Sequence, residues 1–105
     1  MVTPIRIELL FVSDCPHIQH ARVLIDETVA RLAAPASIIE IPVASLEDAA
    51  RLGFPGSPTI RVNGQDVEPI APALIEPTLG CRIYANGHVP DILLLDVAIR
   101  EAMSR

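Results

Sequence analysis

The feature that most constrains the fold is a change of hydrophobic period around Cys15. Before it, residues 5–12 alternate in polarity and become apolar on both faces toward the end, which predicts a strand entering a covered sheet. After it, apolar residues recur at helical spacing over 16–33, and Pro16 is favoured at a first helical position. These periods predict a strand-to-helix junction with Cys15 at or beside the N-cap. A thiol there is expected to be exposed, and the helix dipole favours its thiolate form.

The rest of the chain predicts a single α/β domain over 1–105 with the order β-α-β-α-β-β-α. Pro42 favours an edge position for the second strand, and Ser45 and Gly53 bound a short second helix. The first half reads as a right-handed βαβ unit with parallel strands. We therefore expect a four-stranded mixed sheet, in the order 2-1-3-4, with helices on both faces. The predicted strands are 5–12, 38–43, 59–62 and 81–84, the helices are 16–33, 46–52 and a last one from Pro90, and 65–78 is an ordered surface loop.

Composition excludes several functions. The chain has 105 residues, which is one domain, and all eight basic residues are arginine, which excludes Schiff-base chemistry at a lysine. A net charge of −5 with dispersed arginines predicts no nucleic-acid partner. No apolar run reaches about 18 residues, so no membrane partner is expected. Two cysteines are too few for a disulfide scaffold, and no signal peptide is evident, so we expect free thiols in the cytoplasm and no cofactor.

The order of these motifs over nearly the whole chain resembles the thioredoxin-like superfamily. Cys15-Pro16 lies at the first strand-to-helix junction, and Ser57-Pro58-Thr59 opens the third strand. More narrowly, the chain looks like a group of short bacterial thioredoxin-family proteins of undefined substrate, some of which carry an alkylmercury-lyase label. The segments that carry this narrower resemblance are 14–16, 52–59, 62–64 and 81–84.

The resemblance implies redox chemistry at Cys15, with a cis Ser57–Pro58 bond held against the thiol. It also implies that the loop around Pro58 presents its backbone to an extended thiol substrate. His17, which lies in the first turn of the predicted helix, could tune the thiol, because an imidazolium stabilises a thiolate. The substrate-binding residues expected on this basis are Pro16, Ser57, Pro58, Thr59 and Tyr84.

The chain departs from the dithiol oxidoreductases at Ile18, which stands where a Cys-x-x-Cys motif has its second cysteine. An apolar side chain cannot resolve a mixed disulfide. What remains is monothiol chemistry at Cys15, in which an external thiol such as glutathione releases the intermediate. Whether the chain is an enzyme at all stays open at this point.

Cys81 is a candidate second thiol. If the last hairpin pairs Thr59 with Tyr84, Cys81 lies three residues down its strand, about 10 Å from the Pro58 end. A disulfide needs Cα atoms within about 7 Å, so pairing with Cys15 is disfavoured and buried packing on the sheet is expected. The same hairpin would place two arginines, at 61 and 82, opposite each other, where they could hold an acidic ligand or only solvate the edge.

Two functions from different classes follow. The first is exchange of thiol or disulfide substrates, with glutathione among them, through Cys15. The alternative is a non-catalytic module that captures a soft metal or an organomercurial through Cys15, assisted by His17 or Cys81, or that holds a partner peptide at the Pro58 loop. Oligomeric state stays open, and a dimer through the exposed edge of the fourth strand is one option.

Overall fold

The computed structural model describes residues 3–104. Its elements alternate as the changes of hydrophobic period indicate, with one short 3₁₀ turn added. The strands are β1 (Ile5–Phe11), β2 (Ala36–Pro42), β3 (Thr59–Val62) and β4 (Gln65–Asp66); the helices are α1 (Ile18–Leu32), α2 (Leu46–Leu52) and α3 (Ile92–Met103); the 3₁₀ turn is Pro72–Leu74.

The four strands form one mixed sheet in the order β2-β1-β3-β4, which confirms the predicted arrangement. β1 runs parallel to β2, with Ile5 opposite Ala36, and antiparallel to β3, with Ile7 opposite Val62. β4 pairs antiparallel with β3 on the outer side. The first strand is therefore central, and its C-terminal end delivers the chain to the turn that carries Cys15.

Two apolar clusters cover the two faces of the sheet. On one face, alternate residues of β1 pack against α1 and α3, with Ile7, Ile25 and Leu95 almost fully buried. On the other face, Leu10 packs with Ala49 of α2 and with Phe54. Each fully buried Leu, Ile or Phe side chain stabilises the fold by about 1.5–3 kcal/mol. Helices thus lie on both faces, as predicted, and both clusters meet at β1.

Helix ends follow local sequence signals, with one exception that matters. Ser45 caps α2, its hydroxyl accepting the Asp48 N–H at 3.1 Å, and Gly53 ends the helix at φ 58°. In contrast, α1 begins at Ile18 rather than at 16, and its N-cap residue His17 makes no side-chain cap. Cys15 therefore lies three residues before the helix, so the predicted N-cap position was wrong.

The fourth strand is not where the sequence predicted it. Asn63 and Gly64 have φ values of 49° and 84°, and a two-residue loop with two positive φ values closes a tight hairpin. The residues that follow at once, Gln65 and Asp66, therefore take the free edge of β3. The segment 81–84 makes only isolated bridges, and the 65–78 region, expected to be a loop throughout, contains β4 and the 3₁₀ turn.

Within residues 3–104, none of the helices combines the length and the apolar character that crossing a membrane requires.

Candidate functional site

Cys15 lies in a hydrogen-bonded turn between β1 and α1. Its N–H donates to the Val12 carbonyl at 3.1 Å, and its own carbonyl accepts the Ile18 N–H at 3.5 Å. The residue is a free cysteine and is only 6% exposed. The expectation of an exposed thiol was wrong, because this separate turn, rather than the first turn of α1, holds the cysteine and folds it inward.

The loop that opens β3 is attached to the same turn. The Ser57–Pro58 peptide bond is cis, and Ser57, Pro58 and Thr59 are all buried. The Ser57 hydroxyl accepts the Val12 N–H at 3.0 Å. Val12 thus uses its N–H on Ser57 and its carbonyl on Cys15, so one residue links the cysteine turn to the proline loop. The structure brings together two segments separated by some forty residues in sequence.

Ser57 also uses both of its backbone polar groups on a third segment. Its N–H donates to the Gly80 carbonyl at 2.9 Å, and its carbonyl accepts the Arg82 N–H at 3.0 Å. The contact is so close that a Cβ added at Gly56 would lie 2.9 Å from the Arg82 Cα. The chain's own residues 80–82 therefore occupy the backbone of Ser57, which the resemblance assigned to an extended substrate.

Cys81 is the residue that faces Ser57 in this contact. The two form an isolated parallel bridge, and Cys81 is an exposed free cysteine. The expectation of buried packing on the sheet was therefore wrong. So was the placement of Cys81 three residues down a strand from Thr59, because 81–84 does not pair with β3. Cys81 instead lies beside the residue that precedes Pro58.

Arg82 is the most heavily used polar residue of the site. It is 3% exposed, and its Nη1 donates to Asp66 at 2.6 Å and to the Thr59 hydroxyl at 3.2 Å. Its Nη2 donates to the Glu68 carbonyl at 2.7 Å, while its Nε is buried without a partner. A buried guanidinium needs such partners, because an unpaired buried charge is costly. Arg82 thus fastens the third segment to β3 and β4.

Arg61 does not face Arg82, which corrects the expected pairing. In the sheet register Arg61 is opposite Asp66, and its Nη2 donates to the Leu52 carbonyl at 2.7 Å. Its contact is with the end of α2, whereas the Arg82 side chain reaches from the third segment to Thr59 and Asp66. The two guanidinium groups therefore do not form one site for an acidic ligand.

Tyr84 is a buried anchor. Its hydroxyl donates to the Pro58 carbonyl at 2.6 Å, and its ring lies 4.2 Å from the Arg82 guanidinium carbon. Burial raises the pKa of the phenol above its ordinary value. At 2% exposure the ring cannot line an open substrate groove. Tyr84 instead stabilises the Pro58 loop from within the protein, through its hydrogen bond to the Pro58 carbonyl.

His17 is half-buried and stacks against His88, with ring centroids 4.4 Å apart and an angle of 5° between the rings. Nδ1 of His88 lies 3.4 Å from the Arg82 carbonyl, so the stack joins the start of α1 to the third segment. Pro16 is exposed beside it. Over residues 3–104, no three His, Cys, Asp or Glu side chains are grouped closely enough to hold a metal ion.

Comparison with known proteins identifies the fold. No family model and no curated protein matches the sequence. Among solved structures, a protein from Bordetella parapertussis matches with a TM-score of 0.55 and 15% identity, over 95% of this chain and 99% of that one. A selenoprotein W-related protein from Vibrio cholerae matches with a TM-score of 0.55 and 14% identity, over 96% and 99%. The fold is thioredoxin-like.

Sequence reasoning missed two parts of this candidate site. Asp66 and His88 carry contacts that hold the third segment, yet neither belongs to a motif. Asp66 could have been found from Asn63-Gly64, because a two-residue turn places its successors opposite β3. No local signal identifies His88, whose role depends only on tertiary contact with His17.

Proposed function

We propose that this protein is a thioredoxin-like thiol exchange protein that acts through Cys15. The observation that carries the proposal is the shared use of Val12, which ties the cysteine turn and the Ser57–Pro58 loop into one unit. Such a unit holds a thiol in a fixed relation to a backbone loop, as thiol exchange requires of its attacking group. Its substrates are thiols and disulfides, glutathione among them, and two free cysteines suit a reducing cytoplasm.

The chemistry starts from the Cys15 thiolate, which attacks one sulfur of a disulfide and forms a mixed disulfide while the other sulfur leaves as a thiolate. A second thiol then attacks the substrate-derived sulfur of the mixed disulfide, forms a new disulfide with it and releases Cys15 as the thiolate. His17 follows two residues later, and in its protonated form it favours the thiolate. Because Cys15 is only 6% exposed, its reaction requires local opening around the turn.

The test uses the reduced protein and two reagents at one pH. In a Cys81→Ser variant, oxidised glutathione is expected to form a mixed disulfide on Cys15, detected by intact-mass measurement after an acid quench. The variant loaded in this way should return to the reduced form when reduced glutathione is added. A Cys15→Ser variant, which retains the exposed Cys81, is the matched control for ordinary thiol reactivity.

The decisive comparison is the rate at Cys15 against the rate at Cys81. If Cys15 is functional, it should form a mixed disulfide with oxidised glutathione at least as fast as the exposed Cys81 does, although Cys15 is buried. If Cys15 forms no mixed disulfide, or reacts only when the protein is unfolded in urea, Cys15 is a buried structural cysteine and the proposal is wrong.

Two free thiols, the buried Cys15 and Cys81 beside Ser57, favour a second candidate, the capture of a soft metal or an organomercurial. Soft ions prefer thiolate ligands, and binding needs no turnover. A mercurial reagent that binds Cys15 stoichiometrically, without any glutathione-dependent turnover, would favour this candidate. A partner peptide held by the Ser57 backbone is less favoured, because residues 80–82 already use both groups.

A further inference from the structure

The parallel bridge between Ser57 and Cys81 places the second cysteine beside a residue that is hydrogen-bonded to the turn of the first. Residues paired across such a bridge have backbones about 4.8 Å apart, and their side chains point to the same side. The Ser57 side chain points to the cysteine turn, because its hydroxyl accepts the Val12 N–H. The Cys81 side chain therefore leaves the backbone on the side where the Cys15 turn lies.

We propose that Cys81 is the resolving thiol for Cys15, and that the two cysteines form a reversible disulfide across Ser57. This inference rests on the proposed function of Cys15 and specifies how its mixed disulfide is released. It also supplies the second sulfur that Ile18 does not, from a different segment of the chain. An exposed thiol is the suitable resolving group, since it meets the mixed disulfide from the solvent side.

The same contacts define the class of substrate. Residues 80–82 occupy the N–H and the carbonyl of Ser57, so an extended peptide has no backbone groups there with which to pair. A compact disulfide, such as oxidised glutathione, needs only access to the sulfur of Cys15. The site is therefore assigned to small disulfides, with the 80–82 segment remaining in place.

The steps balance without any further oxidant. The Cys15 thiolate attacks the small disulfide RSSR, which forms Cys15–S–S–R and releases one RS⁻. The Cys81 thiolate then attacks the Cys15 sulfur, which forms the Cys15–Cys81 bond and releases the second RS⁻. The small disulfide gains two electrons and takes up two protons as two thiols, and the protein loses the same two electrons. Two molecules of a reducing thiol reverse the sequence.

The experiment treats fully reduced protein with oxidised glutathione, quenches it in acid at successive times, alkylates the remaining thiols and measures intact mass. The wild-type protein should lose both alkylatable thiols while retaining no glutathione. The Cys81→Ser variant should retain one glutathione on Cys15. Peptide mapping under non-reducing conditions should recover a peptide pair linked through 15 and 81, from monomeric protein.

A matched control distinguishes the effect of the position of the second thiol from the effect of its exposure to solvent. Ile83 is 81% exposed and lies two residues beyond Cys81, so an Ile83→Cys change in the Cys81→Ser background supplies an accessible thiol farther from Ser57. This variant should release glutathione from Cys15 at least tenfold more slowly than wild type. Thermal midpoints of all variants establish that they are folded.

Three results would overturn the inference. If wild-type protein keeps glutathione on Cys15 while Cys81 can still be alkylated, Cys81 does not resolve, although the proposed function stands. If Cys81 instead forms a covalent dimer, it is an intermolecular thiol. If Cys15 takes up no glutathione even in the Cys81→Ser variant, the proposed function is wrong, and so is the proposed disulfide between Cys15 and Cys81.

Discussion

Replacing Asp66 by Asn tests whether the buried Arg82 holds the site together. The change keeps the size of the side chain and removes the negative charge that lies 2.6 Å from Nη1 of Arg82. The side chain of Arg82 is 2% exposed and that of Asp66 is 16% exposed, so solvent can replace little of the lost interaction. A buried pair that loses one partner costs about 3–5 kcal/mol. Because Asp66 is itself partly exposed, we expect the free energy of unfolding to fall by about 3 kcal/mol, the lower end of that range.

Urea unfolding followed by circular dichroism gives the measurement. A domain of this size has a free energy of unfolding of about 5–15 kcal/mol, so a loss of 3 kcal/mol is large. With an m value of about 1.5–2 kcal/mol per M, the midpoint should fall by about 1.5–2 M. The m value itself should not change if the variant still unfolds in one step.

Asp48→Asn is the matched control, because it removes the same charge from an exposed pair with Arg51 at 3.1 Å. Exposed pairs contribute about 0–1 kcal/mol, so its midpoint should move by less than about 0.7 M. In the Asp66→Asn background, replacing Arg82 by Met should cost less than it does in the wild-type chain, because the uncompensated charge is then absent. A shift for Asp66→Asn no larger than the control, or purely additive costs, would refute the reasoning.

Three further predictions concern the loop and its supports. Tyr84→Phe leaves the buried Pro58 carbonyl without its 2.6 Å donor and should destabilise the protein by about 1–3 kcal/mol in urea unfolding; an unchanged midpoint would contradict the contact. Gly56→Ala should lower the free energy of unfolding more than Gly87→Ala does. The two φ values, 133° and 127°, give similar backbone strain, but only at Gly56 does an added Cβ meet the backbone of another segment. Equal losses in urea unfolding would show that residues 80–82 move aside to make room. Tyr84 is the only tyrosine and there is no tryptophan, so near-ultraviolet absorbance reports its phenolate alone. Because burial raises its pKa, the neutral phenol contributes stability that is fully present below about pH 10, the unfolded value, and is lost as pH rises through the folded pKa. Native protein should therefore show no phenolate at about pH 10, where urea-unfolded protein is half ionised, and identical titrations would show an accessible hydroxyl.

The sequence predicted those parts of the fold that local signals determine. The alternating strand before Cys15, the helical period after it, and the caps Ser45 and Gly53 each depend on neighbours within a few residues, and the βαβ pattern predicts that β1 and β2 are parallel. Asn63-Gly64, which follows the predicted strand 59–62, is also a local hairpin signal, but the residues after it were predicted to be a surface loop. That one interpretation displaced the fourth strand and, with it, the position of Cys81.

The remainder of the site could not be predicted, because it depends on partners distant in sequence. Arginine is ordinarily a surface residue. The burial of Arg82 becomes favourable only because the fold brings Asp66, Thr59 and the Glu68 carbonyl to its guanidinium group. The burial of Cys15 likewise depends on how the turn after β1 meets the Ser57 loop. Local pattern contains no information on either contact.

The stretch of residues 68–88, which contains the third segment, is secured by polar contacts instead of apolar packing, and this has a kinetic consequence. From Glu68 to His88 only Arg82 and Tyr84 are buried, whereas β1 and α1 each contribute several aliphatic side chains to the core. Such a segment opens by sub-global fluctuation, at a lower free energy than the whole domain. The amide of Arg82, bonded to Ser57, should therefore exchange its hydrogen for deuterium well before those of β1.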